Sequence, residues 1–543
     1  MTAPRADLVI RGQVLLAAVP DALERAEAIG IANGRVVSAG AARDVIGAAS
    51  SGARVVDAGA AAVIPGLHDF HVHLVGLART RSGVLLDDAA DSREVAARLR
   101  AYAAERPSGW ITGRGWSEAQ LGGAPLSILE DAVGQLPAFV TSHDGHSAWA
   151  SAAARRAAGV TGATPDPAGG RIERGADGEP TGILREVALD VVAVHVPRLQ
   201  GDALRRALDA TISDLAGLGI TGASEAGDYT DANGIGADAE LGDSFSTLTD
   251  LADLVDGRLR MTLGIPVDAL AAAVGRGHRT GRPLTGQRTM RFGWAKEYAD
   301  GALGSGTAAL FAPRTCGDGG TGILRVTGDE LDGLFVTARA GGIGLAIHAI
   351  GDRAAAEVLA AVGRAPSRAP GTPNDRIEHA QLVRAEDRAF FSRFGVTASI
   401  QPIHAAADRD LVESCWEGRQ ADAYAWRSLR DAGALLVAGS DAPIESVNPW
   451  LGVFAAVHRR LPADERENWR ADEALTVPEA LHAYTLAPAL AIGVADEGHL
   501  RIGARADVAV LSISLDALLA GEFDPDAVRA ELTMVDGSTF ADE

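Results

Sequence analysis

Eight short apolar segments, separated by stretches rich in alanine, leucine and arginine, recur along the middle of the sequence. They cover residues 63–73, 219–225, 259–266, 291–298, 343–348, 376–379, 396–401 and 435–441. Apolar strands that alternate with helical stretches are typical of βαβ units and a parallel sheet. Eight such strands predict an α/β fold of the (β/α)8 TIM-barrel type.

The gap between the first two of these strands is too long for a single βα crossover. Residues from about 78 to 205 are therefore predicted to be an insertion after the first barrel strand. Short strands with a hairpin turn at Asn33-Gly34 precede the barrel, and further strands follow it. We expect both termini to build one small β-sandwich domain, from residues 1–62 and 489–543, beside a barrel of residues 63–488.

Charge and composition exclude several classes of protein. The net charge is −22, and an acidic surface repels the phosphates of nucleic acids. No apolar run is long enough to span a bilayer, and no long apolar segment follows Met1, so we expect neither a membrane protein nor a signal peptide. Cys316 and Cys415 have no CxxC partner and are expected to be free thiols, which fits a reducing compartment such as the cytoplasm.

His71 and His73 stand at the end of the first barrel strand. Side chains at positions i and i+2 of a strand point to one face, so two imidazoles placed in this way can share a metal ion. Asp69 lies on the same face and can support them, whereas His68 faces the other way and is excluded as a ligand. A purely structural pair of histidines is the alternative, but the apolar strand before the motif favours a metal site.

Four more polar residues stand at the ends of later barrel strands: Lys296, His348, His379 and Asp441. Catalytic groups of such barrels lie at the carboxyl ends of the strands. Each residue has a structural alternative when taken singly: a hydrogen-bonded core histidine, an N-cap aspartate, or a lysine paired with the neighbouring Glu297. Because these four positions are spaced by whole βα units, a shared site is favoured.

These segments resemble the amidohydrolase superfamily, and in particular its amidohydrolase-3, YtcJ-like branch, which includes N-substituted formamide deformylases. The resemblance is carried by HVH, AKEYADGALGSG, HAIGDRA, RIEHAQ and SIQPIHAAAD, and it covers nearly the whole chain. It implies one or two divalent metal ions. Zinc is the metal we expect, since nitrogen and oxygen ligands without thiolates suit zinc. The implied ligands are His71, His73 and Asp441 for one ion and His348 and His379 for a second, with a carbamate on Lys296 bridging the two.

The expected function is a metal-dependent hydrolase that cleaves a non-peptide C–N bond, in an amide, a formamide or a related compound. A metal-activated hydroxide would attack the carbonyl carbon of this bond. The hydroxide is available at neutral pH because a metal lowers the pKa of bound water to about 7. Asp441 would accept the water proton and pass it to the leaving amine, and Lys296 and His348 complete the predicted catalytic set. Two alternatives stay open: the same site used for deamination, decarboxylation or isomerisation, and a non-catalytic binding protein.

Seven further residues are predicted to contact a small amide-type substrate. The insertion supplies Trp110, His143, Asp144 and His146, for which a solvated loop with packing aromatics is an equally open alternative. The ends of barrel strands supply Arg353, Gln401 and His404. The resemblance also makes a homodimer an option.

Overall fold

The structure is a computed structural model that describes residues 4–20, 22–142, 147–167, 170–227, 241–317 and 319–539. These residues form two compact units. The larger unit contains the chain up to His73 together with the described residues from Ile212 onward, and the smaller unit is Leu74–Thr211. None of the helices in the described ranges is both long and apolar enough to cross a bilayer.

Strands from both ends of the chain form one seven-stranded sheet in the larger unit. Its order is β21-β20-β19-β4-β1-β2-β3, so that β4 and β19 join the two ends antiparallel at the middle of the sheet. Apolar side chains such as Ile10, Ile29, Val63 and Val508 form its core. The strands are β1 (Leu8–Val19), β2 (Ala22–Ala32), β3 (Arg35–Gly40), β4 (Arg54–Pro65), β19 (Val508–Ser514), β20 (Ala530–Val535) and β21 (Ser538–Thr539).

Eight parallel strands, neighbours in chain order, form the barrel of the larger unit. Their side chains are almost all buried, as expected where one face packs inside a barrel and the other against helices. Backbone hydrogen bonds close the circle, because Asp441 N–H donates to His71 O at 2.7 Å and His73 N–H donates to Ala442 O at 2.9 Å. The strands are β5 (Leu67–Val72), β12 (Ile220–Glu225), β13 (Arg260–Pro266), β14 (Met290–Tyr298), β15 (Leu345–Ala349), β16 (Asp375–His379), β17 (Val396–Ile400) and β18 (Leu435–Ala438).

The predicted fold class is confirmed, with one difference in the first strand. Residues 63–73 do not form a single strand, because the chain passes from β4 in the terminal sheet to β5 in the barrel at Gly66. The Gly66 N–H donates to Asp507 O at 3.0 Å. A Cβ at this position would lie 2.1 Å from Thr221 Oγ1, so only glycine fits where the two sheets meet.

The smaller unit is the insertion that follows the first barrel strand. It contains a six-stranded sheet in the order β10-β11-β9-β8-β7-β6, and Trp116 and Trp149 lie in its apolar core. Its strands are β6 (Val84–Leu85), β7 (Ile111–Trp116), β8 (Ala138–Ser142), β9 (Ser147–Ala150), β10 (Gly170–Arg174) and β11 (Pro180–Glu186). Its helices are α2 (Leu74–Arg81), α3 (Ser92–Glu105), α4 (Glu118–Leu121), α5 (Ser127–Val133), α6 (Ala152–Ala157) and α7 (Asp190–Ala193).

The other helices connect the barrel strands or pack on the terminal sheet. Helix α12 (Gly328–Gly341) is an example of how the sequence sets the ends of a helix. A capping box of Thr327 and Glu330 begins it, and Gly342 in the left-handed conformation ends it. These helices are α1 (Ala42–Ala48), α8 (Gly201–Gly217), α9 (Asp243–Asp250), α10 (Ala252–Val255), α11 (Leu270–Gly275), α12 (Gly328–Gly341), α13 (Asp352–Arg364), α14 (Arg388–Phe394), α15 (Pro402–Ala407), α16 (Arg409–Cys415), α17 (Trp426–Asp431), α18 (Pro449–His458), α19 (Val477–Tyr484), α20 (Leu486–Ile492) and α21 (Leu515–Ala520).

Cys316 and Cys415 form a disulfide, so the prediction of two free thiols is wrong. The two cysteines are 99 positions apart, and the folded chain brings the segment after β14 against the end of α16. Thr315 N–H donates to Cys415 O at 2.9 Å beside the bridge. The spacing of two distant cysteines carries no sign of this proximity, and the argument for a reducing compartment loses its support.

Candidate metal centre

Three buried side chains from separate barrel strands converge at the carboxyl end of the barrel. His71 is the last residue but one of β5, His379 ends β16 and Asp441 follows β18. One ligand atom of each lies within 4.8 Å of the others. His71 Nε2, His379 Nδ1 and Asp441 Oδ1 have no hydrogen-bond partner among the described residues. Since buried polar atoms are normally paired, this set of unpaired nitrogen and oxygen atoms fits a bound cation.

The two histidines of the HVH motif turn toward the same carboxylate, as the two-residue period of a strand requires. His71 Nε2 is 3.2 Å from Asp441 Oδ1, and His73 Nε2 is 3.4 Å from the same oxygen. The other ring nitrogen of His73, Nδ1, is 3.0 Å from Gly227 O. Because a carbonyl oxygen only accepts, this contact assigns the proton to Nδ1 and places the lone pair on Nε2, the nitrogen that faces Asp441.

His348 and Lys296 lie beside this cluster, on the neighbouring strands β15 and β14. The His348 ring centroid is 4.5 Å from that of His379, and His348 Nε2 is 3.0 Å from Gly301 O. Lys296 Nζ is 5.0 Å from the centroid of the Tyr298 ring. The charge of Lys296 acts on the pKa of all four histidines, which indicates that Lys296 lies near the cluster.

Burial sets the ionisation of this group. It lowers the pKa of His348 to about 3 and that of His379 well below its usual range, so both imidazoles are neutral and able to ligate a metal. Burial alone would raise the pKa of Asp441. The charge of His71 and the hydrogen bond with His404 act in the opposite direction, and the pKa of Asp441 lies well below its usual value. Burial also lowers the pKa of Lys296 to about 8, which brings a neutral amine within reach near neutral pH.

Two of the three triad residues have an uncommon backbone conformation. His379 has φ of 72° and Asp441 has φ of 61°, both in the left-handed region that residues other than glycine seldom adopt. Such strained positions cluster at functional sites, where the surrounding structure maintains them. The sequence alone does not reveal this feature, because histidine and aspartate adopt a positive φ at only a minority of their positions.

Glu378 belongs to the site and was missed by the sequence analysis. This fully buried carboxylate has its Oε2 2.6 Å from His71 Nδ1, and its Oε1 is 2.5 Å from Arg376 Nε. Burial alone would raise the pKa of Glu378, but Arg376 and His71 hold it well below the usual range. The available signal in the sequence was the pair of opposite charges at positions i and i+2 directly before His379, in RIEH.

Asp69, by contrast, supports the backbone of the site rather than an imidazole. Its Oδ1 accepts the N–H groups of His71, at 3.2 Å, and of Ser440, at 2.9 Å. Its Oδ2 accepts the hydroxyl of Ser440 at 2.6 Å. Asp69 therefore links the end of β5 to the segment that carries Asp441.

The predicted substrate-contacting residues have different positions. His404 Nε2 is 3.2 Å from Asp441 Oδ2. Burial alone would lower the pKa of His404, but this hydrogen bond and the charges of Asp441, Glu445 and Asp408 together raise that pKa to about 9. Gln401 is buried at the start of α15, and its Nε2 donates to Ser399 O at 3.3 Å. Arg353 is exposed at the start of α13, and Trp110 is half-buried against the apolar core of the insertion. His143, Asp144 and His146 lie outside the described residues.

A parallel eight-stranded barrel with histidines and a carboxylate at its strand ends defines a class of metal-dependent hydrolase. The chain belongs to the amidohydrolase family, since the model of that family, Amidohydro_3, matches residues 54–541. The predicted family and branch are thereby confirmed.

Relatives of known sequence support this assignment along most of the chain. The chain is 30% identical over 473 residues to a putative amidohydrolase YtcJ of Bacillus subtilis, covering 83% of this chain and 84% of the relative. It is 27% identical to an N-substituted formamide deformylase of Arthrobacter pascens, covering 90% of each. It is also 29% identical to the protein LONG AFTER FAR-RED 3 of Arabidopsis thaliana, covering 93% of this chain and 87% of the relative.

A solved structure is similar over nearly its whole length. An uncharacterized metal-dependent hydrolase from Pyrococcus horikoshii has a TM-score of 0.73 and 25% identity, covering 96% of this chain and 98% of the other. The barrel and the additional sheets are therefore shared with a metal-dependent hydrolase.

Proposed function

We propose that this member of the amidohydrolase family hydrolyses a non-peptide C–N bond in a small molecule, such as an amide or a formamide, at a divalent metal site. The observation that carries the proposal is the convergence of three buried residues, His71, His379 and Asp441, with one ligand atom of each within 4.8 Å of the others. The similarity to an N-substituted formamide deformylase supports the choice of bond.

The donor set suits zinc, since it offers imidazole nitrogen and carboxylate oxygen without thiolate. His71, His73 and Asp441 would hold one ion, and His348 and His379 would hold a second. A divalent ion at this position supplies Lewis acidity toward a carbonyl group and toward water. Lys296, whose burial favours the neutral amine, is proposed to carry a carbamate between the two positions.

Asp441 is proposed to move the proton. Its buried carboxylate is ionised, so it can accept a proton from an attacking water and return it to the leaving amine nitrogen. His404, 3.2 Å from Asp441 Oδ2, holds the carboxylate in one orientation and is proposed to meet the substrate with Gln401. Trp110, Arg353, His143, Asp144 and His146 stay predicted substrate contacts, and a homodimer and a cytoplasmic location stay predictions.

The test is a panel of N-formyl and N-acyl amines, with release of the amine measured after loading the protein with zinc. Asp441→Asn should lower turnover by about 10²- to 10⁴-fold, because it removes the proton acceptor and keeps the shape of the side chain. Asp387→Asn is the matched control, since Asp387 is a buried carboxylate paired with Arg384. Full activity in Asp441→Asn, or activity that a chelator leaves intact, would refute the proposal.

A further inference from the structure

Arg376 and Glu378 form a buried charged pair within a barrel strand. They are two positions apart on β16, on the same face, and their exposed fractions are 2% and 0%. The guanidinium carbon of Arg376 lies 4.8 Å from the ring centroid of Phe70 and 4.5 Å from that of Trp294. Arg376 Nη1 also donates to Phe70 O at 3.1 Å, so the arginine is held on several sides.

Glu378 uses one carboxylate oxygen for Arg376 and the other for His71. The 2.6 Å contact between Glu378 Oε2 and His71 Nδ1 joins two side chains that are 307 positions apart in the sequence. An ionised carboxylate only accepts, so the proton lies on His71 Nδ1. The lone pair of His71 is then on Nε2, the atom that faces Asp441 Oδ1 at 3.2 Å.

We infer that Glu378, fixed by Arg376, is a positioning residue that selects the metal-binding tautomer of His71 and strengthens the binding of a divalent metal ion. This inference rests on the metal site of the proposed function, although not on any particular reaction. Hydrogen-bond partners of ligating histidines fix the ring orientation and raise the basicity of the ligand, and their loss typically weakens metal binding by about 10- to 100-fold.

His73 shows that the site fixes its histidines in more than one way. Its Nδ1 contacts the backbone oxygen of Gly227 at 3.0 Å, which is a neutral acceptor. The partner of His71 is a full negative charge, and charge-assisted hydrogen bonds are roughly twice as strong as neutral ones. Because the partner of His71 is a side chain, its contribution can be removed by substitution.

The test measures zinc affinity by competition with a chromophoric chelator, so it needs no substrate. Glu378→Gln should bind zinc about 10- to 100-fold more weakly than the unaltered protein. Asp375→Asn is the matched control: Asp375 lies on the same strand, is 2% exposed and pairs with Arg339 and Arg368. We expect Asp375→Asn to lower the unfolding midpoint of the metal-free protein and to leave zinc affinity unchanged.

Glu378→Asp covers the case in which Glu378→Gln does not fold. It keeps the charge beside Arg376 but is one methylene shorter, so it should lose the contact with His71 and weaken zinc binding. Wild-type zinc affinity in a folded Glu378 variant, or an equal loss in Asp375→Asn, would overturn the inference. If the unaltered protein binds zinc and cleaves no compound of the panel, the proposed reaction fails and the inference stands; if it binds no zinc, both fail.

Discussion

His68 and His71 are three positions apart on β5 and have opposite surroundings. His71 faces the candidate metal centre, whereas His68 Nε2 is 3.0 Å from Ser224 Oγ and its ring is 5.6 Å from that of Phe70. Burial, together with the charges of nearby arginines, lowers the pKa of His68 to about 3. A neutral His68 is therefore part of the folded state.

This shift predicts a pH dependence of stability. The folded-state pKa of His68, about 3, lies below the ordinary value of 6.5, so its contribution is complete above pH 6.5 and is lost as the pH falls from 6.5 toward 3. Between pH 8 and pH 5 the metal-free protein should lose about 2 kcal/mol of unfolding free energy through this residue. Denaturant unfolding at both pH values measures it, and His68→Gln should show a loss smaller by that amount; equal losses in the two proteins would contradict the assignment.

The positions of the six proposed ligand residues at the ends of barrel strands were predictable from the sequence, but the contacts around them were not. His71, His73, Lys296, His348, His379 and Asp441 stand next to apolar strands, and parallel strands bring their carboxyl ends to one edge. The sequence spacing shows which residues reach that edge and not which ring nitrogen faces the centre. Glu378 contacts His71 across 307 positions, and a contact of that span has no local signal.

At the level of elements, a buried network of charges joins the barrel to the terminal sheet. The side chain of Arg260 on β13 is 4% exposed and forms ion pairs with Asp507 and Asp536. Asp507 directly precedes β19, and Asp536 directly follows β20. Arg291 on β14 bonds to Glu497 at 2.6 Å. These contacts satisfy charges that would otherwise be costly to bury between two sheets.

Arg260→Met should lower the free energy of unfolding by about 3–5 kcal/mol, because it leaves the buried carboxylate of Asp507 without the arginine that pairs with it. Chemical denaturation measures this loss. Arg25→Met is the control, since Arg25 pairs with Asp516 at the surface with exposed fractions of 49% and 71%, and such pairs contribute about 0–1 kcal/mol. An Arg260 variant no less stable than the Arg25 variant would show that the network does not stabilise the fold.

The positions of the barrel strands were predictable to within a few residues because each is a short apolar run between helical stretches. The division of residues 63–73 at Gly66 was not, since an unbroken apolar run shows no boundary between two sheets. The reason for that boundary, the close approach of Thr221 to Gly66, exists only in three dimensions.

At the level of the whole molecule, the disulfide links two segments that each contact the candidate metal centre. The segment after β14 that contains Cys316 also contains Gly301, whose oxygen is 3.0 Å from His348 Nε2. The helix α16 that ends at Cys415 follows α15, which carries His404. The bridge therefore restrains two segments that are continuous with residues at the centre.

Cys316→Ser with Cys415→Ser should lower the free energy of unfolding by about 2–5 kcal/mol, because the closed loop is long and restricts the unfolded chain. The unaltered protein in a thiol reductant should show the same lower midpoint, and thiol titration after unfolding should find two thiols only in the reduced sample. Equal midpoints with and without reductant would contradict a stabilising bridge.

The disulfide between Cys316 and Cys415 also determines what happens when a protease cuts the backbone between these two residues. The closed loop contains β15, β16 and β17, and hence His348, Glu378 and His379, while the exposed connection around residues 366–371 offers a protease an accessible site. A chain cut there keeps both pieces on one covalent molecule. Limited trypsin digestion should therefore give a product that migrates as the intact chain on a non-reducing gel and separates into two fragments once a reductant is added.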